Sequence, residues 1–286
     1  MNVDVVCVGS PFLDLIFHEL SHLPAPGEEV LAKRLTLTPG GIANVAFACH
    51  QLGLSSAICA PRGTDELGQV LERLVEQSGV QWIGRETNAT PISVAIPSQR
   101  DRGFITINPD AAPDTKSLAS IEARALVANL PNVALLAPHP KVYAIVGDPE
   151  AVQFAGRMSE PLTHLAAFFL NEREACALMR IDDPVDATRR LAELGTTVVM
   201  TRGDKGAIAF DADGHHVDVA APAIEVPDPT GAGDAFTAAY IWADLQGFEL
   251  SRRVEAAVLY ASLSIQAMSE RQKGIPLAEF VAKLRS

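Results

Sequence analysis

The chain opens on a run of apolar, mostly β-branched residues, Val3 to Val8, that stops at Gly9. Such a run, short and unbroken by polar positions, predicts a strand buried on both faces. The segments Leu13–Phe17, Glu29–Leu37, Ser93–Pro97 and Gly103–Asn108 alternate apolar and polar residues instead, as strands with one wet face do. Ala43–Leu52 and Glu66–Gln77 carry helical spacing after glycine-containing turns. Further along, the period switches back and forth. Val133–Leu136, Val142–Val146, Leu165–Leu170 and Thr197–Thr201 read as strands, and Glu172–Met179, Pro184–Leu194, Asp234–Leu245 and Arg253–Met268 as helices. Ile208–Phe210 and His216–Val219 flank Asp213-Gly214, a hairpin turn pair. Strands alternating with helices predict an α/β fold, a mostly parallel sheet covered by helices.

Composition narrows the class. With 286 residues, 48% of them hydrophobic, the chain suits one domain over residues 1–286. A net charge of −12 makes it a poor general partner for nucleic acid or an anionic membrane. No stretch is apolar for long enough to span a bilayer, and the opening MNVDVVCVGS lacks the basic segment of a signal peptide. A soluble, cytoplasmic protein is expected. Cys7, Cys49, Cys59 and Cys176 form no C-x-x-C pair, which favours free thiols.

The sharpest chemistry lies in Asp228-Pro229-Thr230-Gly231-Ala232-Gly233-Asp234. Two glycines and an alanine let the backbone turn tightly and approach a ligand. A helix follows at once, so its free N–H groups make an anion site. Asp234 stands in the first turn of that helix, where a carboxylate also serves as an ordinary cap.

The segment resembles the C-terminal signature of the ribokinase-like (PfkB) carbohydrate kinases, and further motifs follow in that family's order. Gly40-Gly41-Ile42-Ala43-Asn44 is similar to its N-terminal signature, with Ile42 where many ribokinases carry Lys. Asp14 follows the first strand, Asn171-Glu172-Arg173-Glu174 is similar to N-x-x-E, and Thr201-Arg202-Gly203-Asp204-Lys205-Gly206 to T-x-G-x-x-G. Gly63-Thr64-Asp65-Glu66-Leu67-Gly68 matches G-x-D-x-x-G, with Asp65 placed as a helix cap. Neither a Walker A motif nor a G-x-G-x-x-G after the first strand occurs.

The resemblance implies a three-layer α/β/α fold with a small β-sheet lid from about residues 12–39 and 90–108. It implies an ATP-dependent kinase in which Asp234 is the base and Gly231, Ala232 and Gly233 hold the migrating phosphoryl group. Asp14, Gly40, Gly41 and Asn44 would bind the acceptor. Asn171, Thr201, Gly203, Gly206, Asp228 and Thr230 would serve the nucleotide, and Glu174 would organise Mg²⁺. A K⁺ ion near Asp228 and Thr230, and a homodimer through the lid, are further features that the family admits. Each motif also has a plain structural reading: Asn171 and Asp234 as caps, Asn44 on an exposed helix start, Asp14 solvated, residues 201–206 a simple loop. A sugar acceptor is the leading expectation. A nucleoside is the second, to be favoured by an aromatic partner in the lid, with Phe12, Phe17 and Phe104 as candidates; a catalytically idle nucleotide-binding protein is the third. The stretch from Val133 to Asn171 is short for the family, with no room for a crossover helix between strands at Leu135 and Tyr143. One strand lost, or a local rearrangement, is expected there.

Overall fold

In the computed structural model, residues 1–97, 102–110, 112–136, 139–158, 162–224, 230–267 and 274–285 are described. The first strand, β1 (Asn2–Val8), is central to the large sheet, as its unbroken apolar run requires. The chain then leaves the large sheet for β2 (Pro11–His18) and β3 (Arg34–Gly41) and returns through α1 (Ile42–Gln51) to β4 (Ser56–Cys59). A short β5 (Arg62–Gly63), α2 (Glu66–Gln77), β6 (Gln81–Ile83) and β7 (Glu86–Thr87) lead out again to β8 (Ile92–Pro97) and β9 (Arg102–Ile107). After α3 (Thr115–Leu118) the large sheet continues with β10 (Glu122–Asn129), β11 (Val142–Ile145), α4 (Asp148–Gln153), β12 (Leu165–Asn171), α5 (Glu172–Met179), α6 (Pro184–Ala192) and β13 (Val198–Thr201). The hairpin β14 (Ala207–Phe210) and β15 (His216–Val219) precedes α7 (Ala232–Leu245), α8 (Leu250–Ala267) and α9 (Leu277–Arg285).

Nine strands form the large sheet in the order β15-β14-β13-β12-β11-β10-β1-β4-β6, parallel from β13 to β6 and antiparallel at the β14–β15 edge. Val5 and Cys7 enter one core, with α1, α7 and α8, while Val6 and Val8 enter the other, with α5 and α6. That gives the three layers. A separate four-stranded sheet has the order β3-β2-β8-β9. The strand expected over Glu29–Leu37 lies further on, at Arg34–Gly41, so the glycine pair ends the strand itself.

The region from Val133 to Asn171 differs from expectation. Val133–Leu136 is not a strand: Leu130–Leu136 is a 3₁₀ helix whose buried residues are Leu130, Val133 and Leu136. Their spacing of three is the period of that helix, which brings all three onto one side. The strand lies upstream, in Glu122–Asn129, and pairs in parallel with β11. Twelve positions, 130–141, thus separate β10 from β11, the length that parallel neighbours require. The sequence reading also passed over β4 and β6.

Candidate active site

The helix α7 starts at Gly231, which holds φ 82°, a left-handed conformation that favours glycine. The first intrahelical bond runs from the Ala235 N–H to the Gly231 carbonyl at 3.0 Å. The N–H groups of Ala232, Gly233 and Asp234 precede that bond and have no intrahelical acceptor. A Cβ on Gly233 would meet no atom within 4 Å, because it would project into an adjoining cavity. Thr230 is half-buried just before this turn; Asp228 lies outside the described residues, and the K⁺ expectation that depends on it goes with it.

Asp234 and Asn44 meet: Asn44 Nδ2 donates to Asp234 Oδ2 at 3.0 Å. Packing of α1 against α7 makes that contact. Asn44 is only 8% exposed, and its Oδ1 is buried with no hydrogen-bond partner among the described residues. An unpaired buried acceptor is costly and calls for a donor such as a hydroxyl. The plain reading of Asn44 as an exposed helix residue is therefore set aside.

The second glycine cluster sets Asp14 beside the entry to α1, the helix that carries Asn44. In the β2–β3 register Asp14 faces Thr38, and Gly40 follows on the same face. A Cβ on Gly40 would overlap the Asp14 carboxylate, so glycine is what lets the carboxylate lie there. Gly41, at φ 60°, makes the turn into α1, and a Cβ on it would meet the Phe12 ring and the Ser10 carbonyl.

A cavity of about 810 Å³ lies beside the α7 turn. Thr201, Gly203 and Gly206 line it together with Ala221–Ile224, Phe236 and Val258. Its size and apolar walls suit a nucleotide-sized ligand. Gly203 and Gly206 hold φ 59° and 93°, so the loop that carries them is glycine-dependent.

Asn171 ends β12 opposite Thr201 of β13. It also caps α5: its Oδ1 accepts the Glu174 N–H at 2.9 Å, while Glu174 Oε2 accepts the Asn171 N–H at 2.8 Å. Asn171 is not among the residues that line the cavity. Glu174 is 8% exposed. Burial pushes its carboxyl up to about 7, and the nearby Asp148 and Glu150 add to the rise. A buried carboxylate under that strain fits a divalent cation, which would relieve it.

Two residues of this region escaped the sequence reading. Asn129 ends β10, and its side chain lies against Gly9, where a Cβ would crowd its Oδ1. Its Nδ2 donates to Glu150 Oε2 at 3.4 Å, and Glu150 in turn accepts the Gly147 N–H at 2.9 Å. Gly63-x-Asp65-x-x-Gly68 is structural, as its capping pattern predicted: Asp65 accepts the N–H groups of Gly68 at 2.8 Å and Thr90 at 3.0 Å.

The model of the family described as "pfkB family carbohydrate kinase" matches residues 2–276. The cytidine kinase of Thermococcus kodakarensis is 27% identical over 90% of this chain and 92% of its own length. The ribokinase of Bacillus subtilis is 25% identical over 99% of both. Among solved structures, the ribokinase of Thermotoga maritima superposes with a TM-score of 0.83 at 20% identity, over 99% of this chain and 100% of that one.

Proposed function

The chain belongs to the pfkB family of carbohydrate kinases and is a phosphotransferase with an alcohol acceptor; within that class we propose that it moves the γ-phosphoryl group of ATP onto a hydroxyl of a free sugar. The observation that carries the reading is the Asn44–Asp234 hydrogen bond at the N-terminus of α7, beside the 810 Å³ cavity. ATP would lie in that cavity with its phosphates toward the N–H groups of Ala232, Gly233 and Asp234. The acceptor would lie between Asp14 and Asn44, with a hydroxyl donating to the unpaired Asn44 Oδ1.

In the proposed reaction Asp234 takes the proton of the acceptor hydroxyl as its oxygen bonds to the γ-phosphorus. The bond between that phosphorus and the bridging oxygen breaks, and ADP leaves with the electron pair. The turn N–H groups hold the negative oxygens in transit, where fixed dipoles are worth most. Asn44 orients the Asp234 carboxylate. Mg²⁺, held through Glu174 and Asn171, would neutralise phosphate charge. Thr201, Gly203 and Gly206 hold the nucleotide in place.

A nucleoside is the second reading, supported by the small sheet's register. Asp14 pairs with Ser93, and Ala95, two residues on, pairs with Phe104. Phe12 and Phe104 therefore share the Asp14 face, and Phe17 points to the other. On that other face Leu35, Leu37, Ile105 and Ile107 are exposed, which supports pairing of two small sheets in a homodimer. Among the described residues no helix is long and apolar enough to cross a membrane; a cytoplasmic site of action is part of the proposal.

Release of ADP from ATP across a panel of sugars and nucleosides tests the reading, with Asp234→Asn as the control. Selective turnover of a pentose or hexose supports a sugar kinase, and turnover of nucleosides alone supports the second reading. ATP binding without turnover of any acceptor overturns both.

A further inference from the structure

Two walls of the cavity come from segments that flank the β14–β15 hairpin: the loop at residues 201–206 and the stretch Ala221–Ile224. Arg202 ties them together. Its guanidinium pairs with the Asp218 carboxylate on β15, and Nη2 reaches the Lys205 carbonyl at 3.5 Å. Its backbone closes the loop, with its N–H donating to the Gly206 carbonyl at 2.8 Å and its carbonyl accepting from the Lys205 N–H at 3.1 Å. The loop lies hard against the segment beyond: a Cβ on Gly206 would overlap the Val219 carbonyl and the Ala221 nitrogen.

The Arg202 side chain is 14% exposed and does not line the cavity. Its Nε is buried with no partner among the described residues. Asp218, by contrast, is 51% exposed, so losing the pair leaves a carboxylate that water can solvate. An arginine buried at that cost for a half-solvated partner contributes little to global stability. It does hold two walls in register.

We propose that Arg202 is a positioning residue for the nucleotide: through Asp218 it pins the 201–206 loop to the 219–224 segment and so sets the width of the cavity. The proposal rests on reading the cavity as the ATP site. A binding wall fixed in advance spares the ordering that a loose one must undergo on binding. Arg202 acts through the loop backbone and touches neither reacting group.

The test begins with calorimetric binding of MgATP to the wild-type protein. Lack of binding overturns the ATP reading of the cavity, and this proposal with it. Given binding, Arg202→Met removes the charge and keeps most of the bulk. It should raise the ATP Kd and KM about tenfold, while kcat and the acceptor KM stay within about twofold. Arg202→Lys should recover much of the affinity, because it keeps the charge and loses only the planar fork. Asp218→Asn should act in the same direction, and the double variant should be no worse than Arg202→Met alone. An unchanged ATP Kd in Arg202→Met overturns the proposal. So does a parallel loss of ATP binding, acceptor binding and thermal stability, which marks a generic packing role.

Discussion

Asn44 and Asp234, 190 residues apart, share a hydrogen bond of 3.0 Å from an amide nitrogen to a carboxylate oxygen. The amide donates from Nδ2 to that carboxylate and leaves Oδ1 to accept from a hydroxyl, so in the proposed reaction one residue would align both partners of the proton transfer.

Asp234→Asn keeps the shape of the side chain and removes the proposed proton acceptor. A fall in kcat of about 10²–10⁴ is expected, the scale of general-base loss, with ATP affinity and melting temperature nearly unchanged. A variant that unfolds, but whose folded fraction turns over normally, would mark Asp234 as a cap. Asn44→Ala should weaken acceptor turnover and spare ATP binding.

Asp14 and Gly40 should behave as one unit. Asp14→Ala should raise the acceptor KM and leave the ATP KM alone, since a site built to pair a hydroxyl loses heavily without its partner. Gly40→Ala should give the same phenotype, because its methyl group would displace the Asp14 carboxylate. Steady-state kinetics with each substrate varied in turn checks both. A Gly40→Ala enzyme with an unchanged acceptor KM would break the link.

Glu174 makes the nucleotide-free protein sensitive to pH. Its carboxyl is raised from 4.5 to about 7 in the folded state, chiefly by burial. Between those values the folded chain binds more protons than the unfolded one, so stability falls as pH rises through that window. Glu174→Gln keeps an acceptor for the Asn171 N–H and removes the buried charge. Without nucleotide it should be the more stable protein at pH 8, by on the order of 3 kcal/mol, and the two should converge near pH 5. Thermal melts at both pH values test this. With MgATP the wild type should gain more stability than the variant and release protons on binding near neutral pH.

Asp244, at the far end of α7, gathers Lys141 at 2.8 Å, Arg253 at 2.8 Å and the Tyr143 hydroxyl. Its side chain is 6% exposed. Asp244→Ala would strand these partners, with a loss of about 3–5 kcal/mol, as when one side of a buried pair is removed. Urea denaturation should show it. Activity per folded molecule should hold at low temperature, since the α7 turn at the opposite end is untouched.

The parts that could be read in the sequence were those whose chemistry is local. Gly231 needs a left-handed backbone and Asp65 an adjacent helix, and neighbouring residues announce both. β10 hid because Glu122–Asn129 holds three Ala beside Glu, Arg and Leu, residues that favour helices when isolated. Its place between β1 and β11 overrides that preference. With the strand went Asn129, which no motif marked. Val133–Leu136 misled in the opposite direction: a four-residue apolar run fits a strand or a helix equally well until its burial spacing is known. The Arg202–Asp218 tie depends on the antiparallel hairpin that brings β15 beside the loop, and spacing alone does not reveal it.

The order of the large sheet also governs how the chain folds as it is synthesised. β1 leaves the ribosome before both its neighbours and can pair with β4 soon after that strand emerges, but its other neighbour, β10, begins only at Glu122. Until then Val5 to Val8 present an apolar strand with one open edge, the kind of template that invites pairing with other chains. Closing so long a loop is slow, because the chain must give up its freedom before the contacts form. A nascent chain halted between Cys59 and Glu122 should therefore be a ready client for a chaperone, and one extended past Asn129 a much poorer one.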